Sequence, residues 1–234
     1  MPAVAQSATD PWSDALASRD LEAIEHLLDN GQANPNRPTD DGKTALMFAA
    51  QQADAEVVVR LLSAGADVNA ANANGGTPLM YAALGGDASI AGLLLDAGAR
   101  HDAKAKLGWT ALALAVVKGY EQVVLTLLDA GADQSVRDAY GWTPLMRAAH
   151  NGRNEIVRLL LESPGADLSV KQEGGANALH IAAGTGDVDI VKLLVEHGAD
   201  TSATDSNGNT AAVIAASVGH EEISDYLEAR DSVR

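Results

Sequence analysis

Cysteine is missing from the 234 residues, and with it go disulfide staples, thiol catalysis and thiolate metal sites. Its absence leaves the compartment open, because cysteine-free chains suit reducing and oxidising spaces alike. Cations are scarce: 16 Lys and Arg stand against 32 Asp and Glu, for a formal charge of -16. Gripping nucleic acid or an anionic membrane surface takes a surplus of Lys and Arg, so neither partner is expected of the chain as a whole. No run approaches the roughly 20 apolar residues of a membrane-spanning helix, and no membrane insertion is expected. The N-terminus has neither a basic n-region nor a long apolar h-region. Residues 1–10 therefore read as a flexible tail. The A-x-A-like stretch within Met1–Ala8 also fits the remnant of a removed signal peptide, so the expected compartment is the cytoplasm, or the bacterial periplasm if such a peptide was cleaved. Aromatic residues make up only 3% of the chain, so the core must be built from small and aliphatic side chains.

What is present is a repeat. Thr44, Thr77, Thr110 and Thr143 recur at intervals of 33, followed by Asn177 after 34 and Thr210 after another 33. The same unit surrounds each anchor: Thr44-Ala45-Leu46, Thr77-Pro78-Leu79, Thr110-Ala111-Leu112 and Thr143-Pro144-Leu145. A Gly-Ala-Asp or its variant closes the unit at Gly65-Ala66-Asp67, Gly98-Ala99-Arg100, Gly131-Ala132-Asp133, Gly165-Ala166-Asp167 and Gly198-Ala199-Asp200. Self-similarity at this period is the mark of a stacked repeat architecture.

These residues resemble the ankyrin repeat over nearly the whole chain, from about Pro11 onward. The resemblance implies an all-α fold, an ankyrin-repeat solenoid of helix-turn-helix units with β-hairpin fingers, in one domain spanning 11–234. About seven repeats, caps included, are expected near 11–38, 39–71, 72–104, 105–137, 138–171, 172–204 and 205–234.

The physical chemistry agrees with that resemblance. Thr can cap the first helix with its hydroxyl, Pro is preorganised at the first helical position, and Gly after the second helix takes the left-handed conformation that ends it. Each helix is about two turns long, well short of the roughly 12 to 15 residues an isolated helix needs in water, so one repeat cannot fold alone. Paired alanines (Ala49-Ala50, Ala82-Ala83, Ala148-Ala149, Ala182-Ala183) let first helices approach closely, and Leu-Leu pairs from Leu61-Leu62 to Leu193-Leu194 are expected to bury between neighbours. Two departures stand out. The fifth repeat carries one extra residue around Ser163-Pro164-Gly165, and the sixth has Asn177-Ala178 in place of the Thr-Pro of the third and fifth. Asn caps about as well as Thr, so the expectation is a local adjustment of curvature at a tolerated insertion.

No catalytic constellation emerges. The six histidines are scattered, and none pairs at the i,i+4 spacing of a metal site on a helix. By family resemblance His180 and His220 are structural. Gly75-Gly76 and Gly174-Gly175 lack the Lys and Ser/Thr of a phosphate loop. Asp205-Ser206-Asn207-Gly208 lacks both the first ligand and the Glu of a calcium loop. Neither a cofactor nor enzymatic activity is expected.

The resemblance instead implies a non-catalytic scaffold that binds a partner protein with its hairpin tips and the concave side of its first helices. Trp109 and Trp142 precede the Thr in the fourth and fifth repeats, at positions the family leaves largely solvated. Leu107 and Tyr140 occupy matching places two residues earlier, and Tyr81, Lys118, Arg147, His150 and Asn151 fall on the first-helix side. Residues 100–158, Lys106 among them, hold 8 Lys or Arg against 6 Asp or Glu, a basic and aromatic island in an acidic chain. Trp, Tyr and Arg are the types that supply binding hot spots. Packing of the two tryptophans over the neighbouring finger remains the other reading of the same residues. The free chain is expected to be monomeric. An inhibitor or immunity-type protein acting on a bacterial envelope enzyme is the alternative function.

Overall fold

The computed structural model describes residues 10–231; the tail expected over residues 1–10 lies, but for Asp10, outside them. The chain divides at Lys106/Leu107 into two compact units. The first unit holds α1 (Pro11–Ser18), α2 (Leu21–Asp29), α3 (Ala45–Gln51), α4 (Ala55–Ser63), α5 (Pro78–Gly85) and α6 (Ala88–Asp96). The second holds α7 (Ala111–Lys118), α8 (Glu121–Asp129), α9 (Pro144–His150), α10 (Asn154–Glu162), α11 (Ala178–Thr185), α12 (Val188–Glu196), α13 (Ala211–Ser217) and α14 (Glu221–Asp231). Within each unit the helices form two layers. In the second, the first helices α7, α9, α11 and α13 pack in one row and the second helices α8, α10, α12 and α14 in another. This is the layering of an ankyrin-repeat solenoid.

Local chemistry sets the helix boundaries. Thr77, Thr110, Thr143 and Thr210 accept the N–H of the third helical residue at 3.4, 3.2, 3.3 and 3.4 Å, satisfying one donor the helix start leaves unpaired. Thr44 is buried but makes no such bond. The second helices start on Asp20, Asp54, Asp87 and Asp187, each capping its own third residue at 3.0 or 3.1 Å. In the fourth and fifth repeats Tyr120 and Arg153 replace that Asp, and neither side chain caps.

The alanine pairs are fully buried, as a close approach of first helices requires. The leucine pairs divide: Leu61, Leu94, Leu127, Leu160 and Leu194 are completely buried, whereas Leu62, Leu95, Leu128 and Leu161 are only half-buried. Consecutive helical residues lie about 100° apart, so one of each pair points most directly into the seam, and among these pairs only Leu193 is buried beside its partner as well. Trp12, 1% exposed, fills the core of the N-terminal cap.

The fingers are tight turns and not paired strands. In the fifth repeat Gly141 N–H donates to Asp138 C=O at 2.9 Å and Asp138 N–H to Trp142 C=O at 3.0 Å, and the pattern recurs at Asn72–Gly76, Gln172–Ala176 and Asp205–Asn209. Among the described residues the sole β-bridge joins Thr204 and Thr210. The extra residue of the fifth repeat is absorbed in its loop, where the buried Gln134 donates Nε2 to the carbonyls of Ser163 at 3.1 Å and Pro164 at 2.7 Å.

Candidate functional site

Repeat spacing organises the site. Asn72 and Tyr81 stand nine residues apart in the third repeat, and the same two places are taken by Ala105 and Leu114 in the fourth and by Asp138 and Arg147 in the fifth. In the first unit Asn72 Nδ2 donates to the Tyr81 hydroxyl at 2.9 Å, while its Oδ1 accepts from the amides of Asn74 and Gly76, both at 2.8 Å. Tyr81 is thereby held against its own finger, half-buried. Lys106, at the end of the first unit, is exposed.

In the second unit the equivalent pair is ionic. Asp138 Oδ1 accepts from the amides of Tyr140 at 2.9 Å and Trp142 at 3.0 Å, and Oδ2 accepts from Arg147 Nε at 3.1 Å and from its Nη2. The Asp138 side chain is 6% exposed. Burial opposes its ionisation, but the Arg147 guanidinium and the amides of Trp142 and Tyr140 outweigh that and hold the carboxyl below its usual range.

The guanidinium of Arg147 then meets both tryptophans. Its central carbon lies 5.0 Å from the ring centroid of Trp109 and 4.6 Å from that of Trp142, within cation–π range of each. His150 sets its ring edge-on to Trp142, centroids 5.3 Å apart. Trp109 and Trp142, expected to be solvated, are half-buried, because the arginine between them covers one face of each ring.

The outermost apolar groups are instead Leu107 and Tyr140, 55% and 53% exposed at matching finger positions. The two fingers are tied by Ala139 N–H to Leu107 C=O at 2.8 Å. Close approach demands glycine here: a Cβ on Gly108, whose φ is +78°, would come within 3.0 Å of Asp138 Cα. The fourth finger has Ala105 where the fifth has Asp138, so no side chain gathers its amides, and Leu107 sits at a φ of +61°. Non-glycine residues enter that region at a cost.

Lys118, His150 and Asn151 are exposed at the ends of α7 and α9. Asn151 Nδ2 donates to Arg147 C=O at 2.7 Å, and Arg153 reaches back to Val117 C=O at 3.2 Å, satisfying carbonyls at the two helix ends. Sequence reasoning named Arg147 but not Asp138, although the recurring nine-residue spacing carries the signal.

The apparent calcium-loop carboxylate, Asp205, is occupied: its Oδ1 accepts from the amides of Asn207 at 2.8 Å and Asn209 at 2.9 Å. Among the described residues no three His, Asp or Glu side chains gather as a metal site would require, and no helix is long and apolar enough to cross a membrane. His180 is buried in a capping box with Asn177, whose Oδ1 accepts the His180 amide at 3.1 Å, and its Nε2 lies 3.2 Å from Asn209 C=O.

Comparison with protein families finds the model described as Ankyrin repeats (3 copies) matching residues 13–105, 98–172 and 165–232. Comparison with curated proteins finds no match. Ankyrin repeats are in general protein–protein interaction modules. With the family model covering nearly all of the sequence and two layers of capped two-turn helices beneath it, the chain belongs to the ankyrin-repeat family.

Proposed function

We propose that the chain is a non-catalytic scaffold that binds a partner protein through the fingers and first helices of its central repeats. In the second unit that surface comprises Leu107, Trp109, Tyr140, Trp142, Arg147, Lys118, His150 and Asn151. In the first, Tyr81 and Lys106 are the contacts of the same kind. The observation that carries the reading is the pair of exposed side chains, Leu107 and Tyr140, on hydrogen-bonded fingers above a packed Trp109–Arg147–Trp142 layer. Rigid aromatic and apolar groups lose little entropy on binding, which is why such groups dominate interface energetics.

Exposure separates a test of binding from a test of folding. Leu107→Ser with Tyr140→Ser removes the outer contacts while leaving the arginine layer intact. With a partner isolated by affinity capture on the intact chain, this variant should bind at least about tenfold more weakly at unchanged thermal stability, as expected when hot-spot side chains are truncated. Unchanged affinity would place the surface elsewhere.

A further inference from the structure

Among the described residues, most Lys and Arg are held by something. Arg37, Lys43, Arg60, Arg147, Arg158 and Lys192 pair with carboxylates. Arg137, Arg153 and Lys171 donate to backbone carbonyls, and Arg19 and Arg230 lie over aromatic rings. Four cations have no such partner: Arg100, Lys104, Lys106 and Lys118. Three of these four stand within the segment 100–106, and all three are exposed. In a chain with twice as many acids as bases, carboxylates for pairing are plentiful. Leaving three neighbouring cations unpaired is therefore a local feature and not a shortage of acids.

The segment also breaks the repeat pattern. Arg100 occupies the place that Asp67 holds one repeat earlier, a reversal of charge at a single position. The one acid among these residues, Asp102, has Oδ1 2.9 Å from His101 Nδ1. The backbone beneath is pinned at both ends: Arg100 N–H donates to Asn69 Oδ1 at 2.9 Å and Lys106 N–H to Asn74 C=O at 2.8 Å. Ala105 Cα lies so near Gly75 that a Cβ there would stand 3.1 Å away. Beside this strip opens a recess of about 480 Å³, lined by Ala71, Gly75, Thr77 and Ala103 together with Arg100, His101, Asp102 and Lys104. The main chain that carries the cations around this recess is held at both ends, and preorganisation of that kind reduces the cost of ordering on binding.

We propose that the Arg100–Lys106 strip docks an acidic, extended segment of a partner protein, its carboxylates facing Arg100, Lys104 and Lys106 and a small aliphatic side chain entering the recess. The partner class follows from the range of the field. Charges are screened over about 8 Å at physiological ionic strength, so an extended peptide can set carboxylates over the three cations and uncharged residues beyond them. A nucleic acid strand or an anionic membrane extends beyond that length and meets the surrounding carboxylates of a chain with a net charge of -16. The inference concerns the first unit; Lys106 is common to it and to the surface proposed above, whereas Arg100 and Lys104 belong to this strip alone.

Fluorescence titration of the full-length chain tests it. The probes are a peptide of about twelve residues rich in Glu and Val, the same peptide with Gln for Glu, a single-stranded oligonucleotide and phosphatidylserine vesicles. The Glu peptide should bind and the Gln peptide should not. Arg100→Gln, Lys104→Gln and Lys106→Gln together should weaken binding about tenfold or more, and raising the salt should weaken it further. Leu107→Ser with Tyr140→Ser should leave it unchanged, which separates this strip from the aromatic surface. The three cations make no ion pair or side-chain hydrogen bond, so the triple variant should melt as the parent does; Lys104→Gln alone gives the same reading if it does not. Failure of the Glu peptide to bind, or equal binding by these variants, overturns the proposal. Tighter binding of the oligonucleotide or the vesicles overturns the partner class. Self-association that the triple variant abolishes would assign the strip to a second copy and overturn the proposal equally.

Discussion

Arg147 donates Nε to Asp138 Oδ2 at 3.1 Å while its guanidinium lies between the rings of Trp109 and Trp142. One side chain thus neutralises a nearly buried carboxylate and fills the space between two fingers. Arg147→Met would keep much of the packing but leave Asp138 without its cation. Breaking a fully buried pair costs about 3–5 kcal/mol. Arg147 keeps 19% of its side-chain exposure, so a loss of about 2 kcal/mol is expected in urea unfolding. Adding Asp138→Asn should recover part of that loss, because an amide can still accept from the Tyr140 and Trp142 amides without a buried charge.

Leu107 combines a left-handed φ of +61° with an exposed apolar side chain. Strain of this kind at a surface finger is tolerated when the side chain serves something other than stability. Leu107→Gly should relieve the strain and leave stability unchanged or raised by up to about 1 kcal/mol. The same substitution should weaken partner binding. A variant that melts lower and binds as well as the parent would contradict both halves of this account.

Acid should act through several groups, Asp41, Asp167 and Asp205 among them, and through two more that packing surrounds. Burial disfavours the charged form of His180 and lowers its pKa, with partial relief from the Asn209 carbonyl and the Asp205 charge. The unfolded chain therefore takes up this proton more readily, so the contribution of His180 is complete above its unfolded value of about 6.5 and declines as the pH falls below it. His180→Gln should flatten the stability profile in that range. Asp138 acts lower: its contribution is complete above its unfolded value of about 3.8 and is lost as the pH falls through the depressed folded value. Denaturant midpoints taken from pH 7 down to pH 3 should show the first loss removed by His180→Gln and the second reduced by Arg147→Met.

The scaffold was legible because it is periodic. Thr anchors, alanine pairs and closing glycines each report a local backbone demand, and stacking repeats those demands at fixed spacing. What sequence reading missed are the places where one side chain meets another across repeats. Trp109 and Trp142 stand at solvated family positions, yet they are half-covered because the residue at the Tyr81 equivalent is an arginine anchored by Asp138. The leucine pairs look equivalent as letters but differ by the helical rotation between neighbours. The unpaired cations at Arg100, Lys104 and Lys106 emerge only when the partners of the other described cations are traced, Lys118 alone being likewise without one.

The second-helix caps offer a last prediction, drawn from what the fourth repeat lacks. Asp87 begins α6 at φ -92° and ψ 111° and accepts from the Ile90 amide at 3.0 Å. Tyr120 begins α8 at φ -89° and ψ 82°, a similar backbone with no acceptor to offer. An Asp there would reach the Val123 amide without rearranging the chain and would place a negative charge at the positive end of the helix dipole. Removing a cap of this type costs about 0.5–2 kcal/mol, so Asp187→Ala should destabilise by about 1 kcal/mol. Tyr120→Asp should stabilise by a similar amount, less whatever packing the half-buried ring supplies. Equilibrium unfolding of the two variants measures both effects. If Tyr120→Asp lowers stability, the ring of Tyr120 contributes more than the missing cap, and packing rather than capping explains why the fourth repeat gave up its Asp.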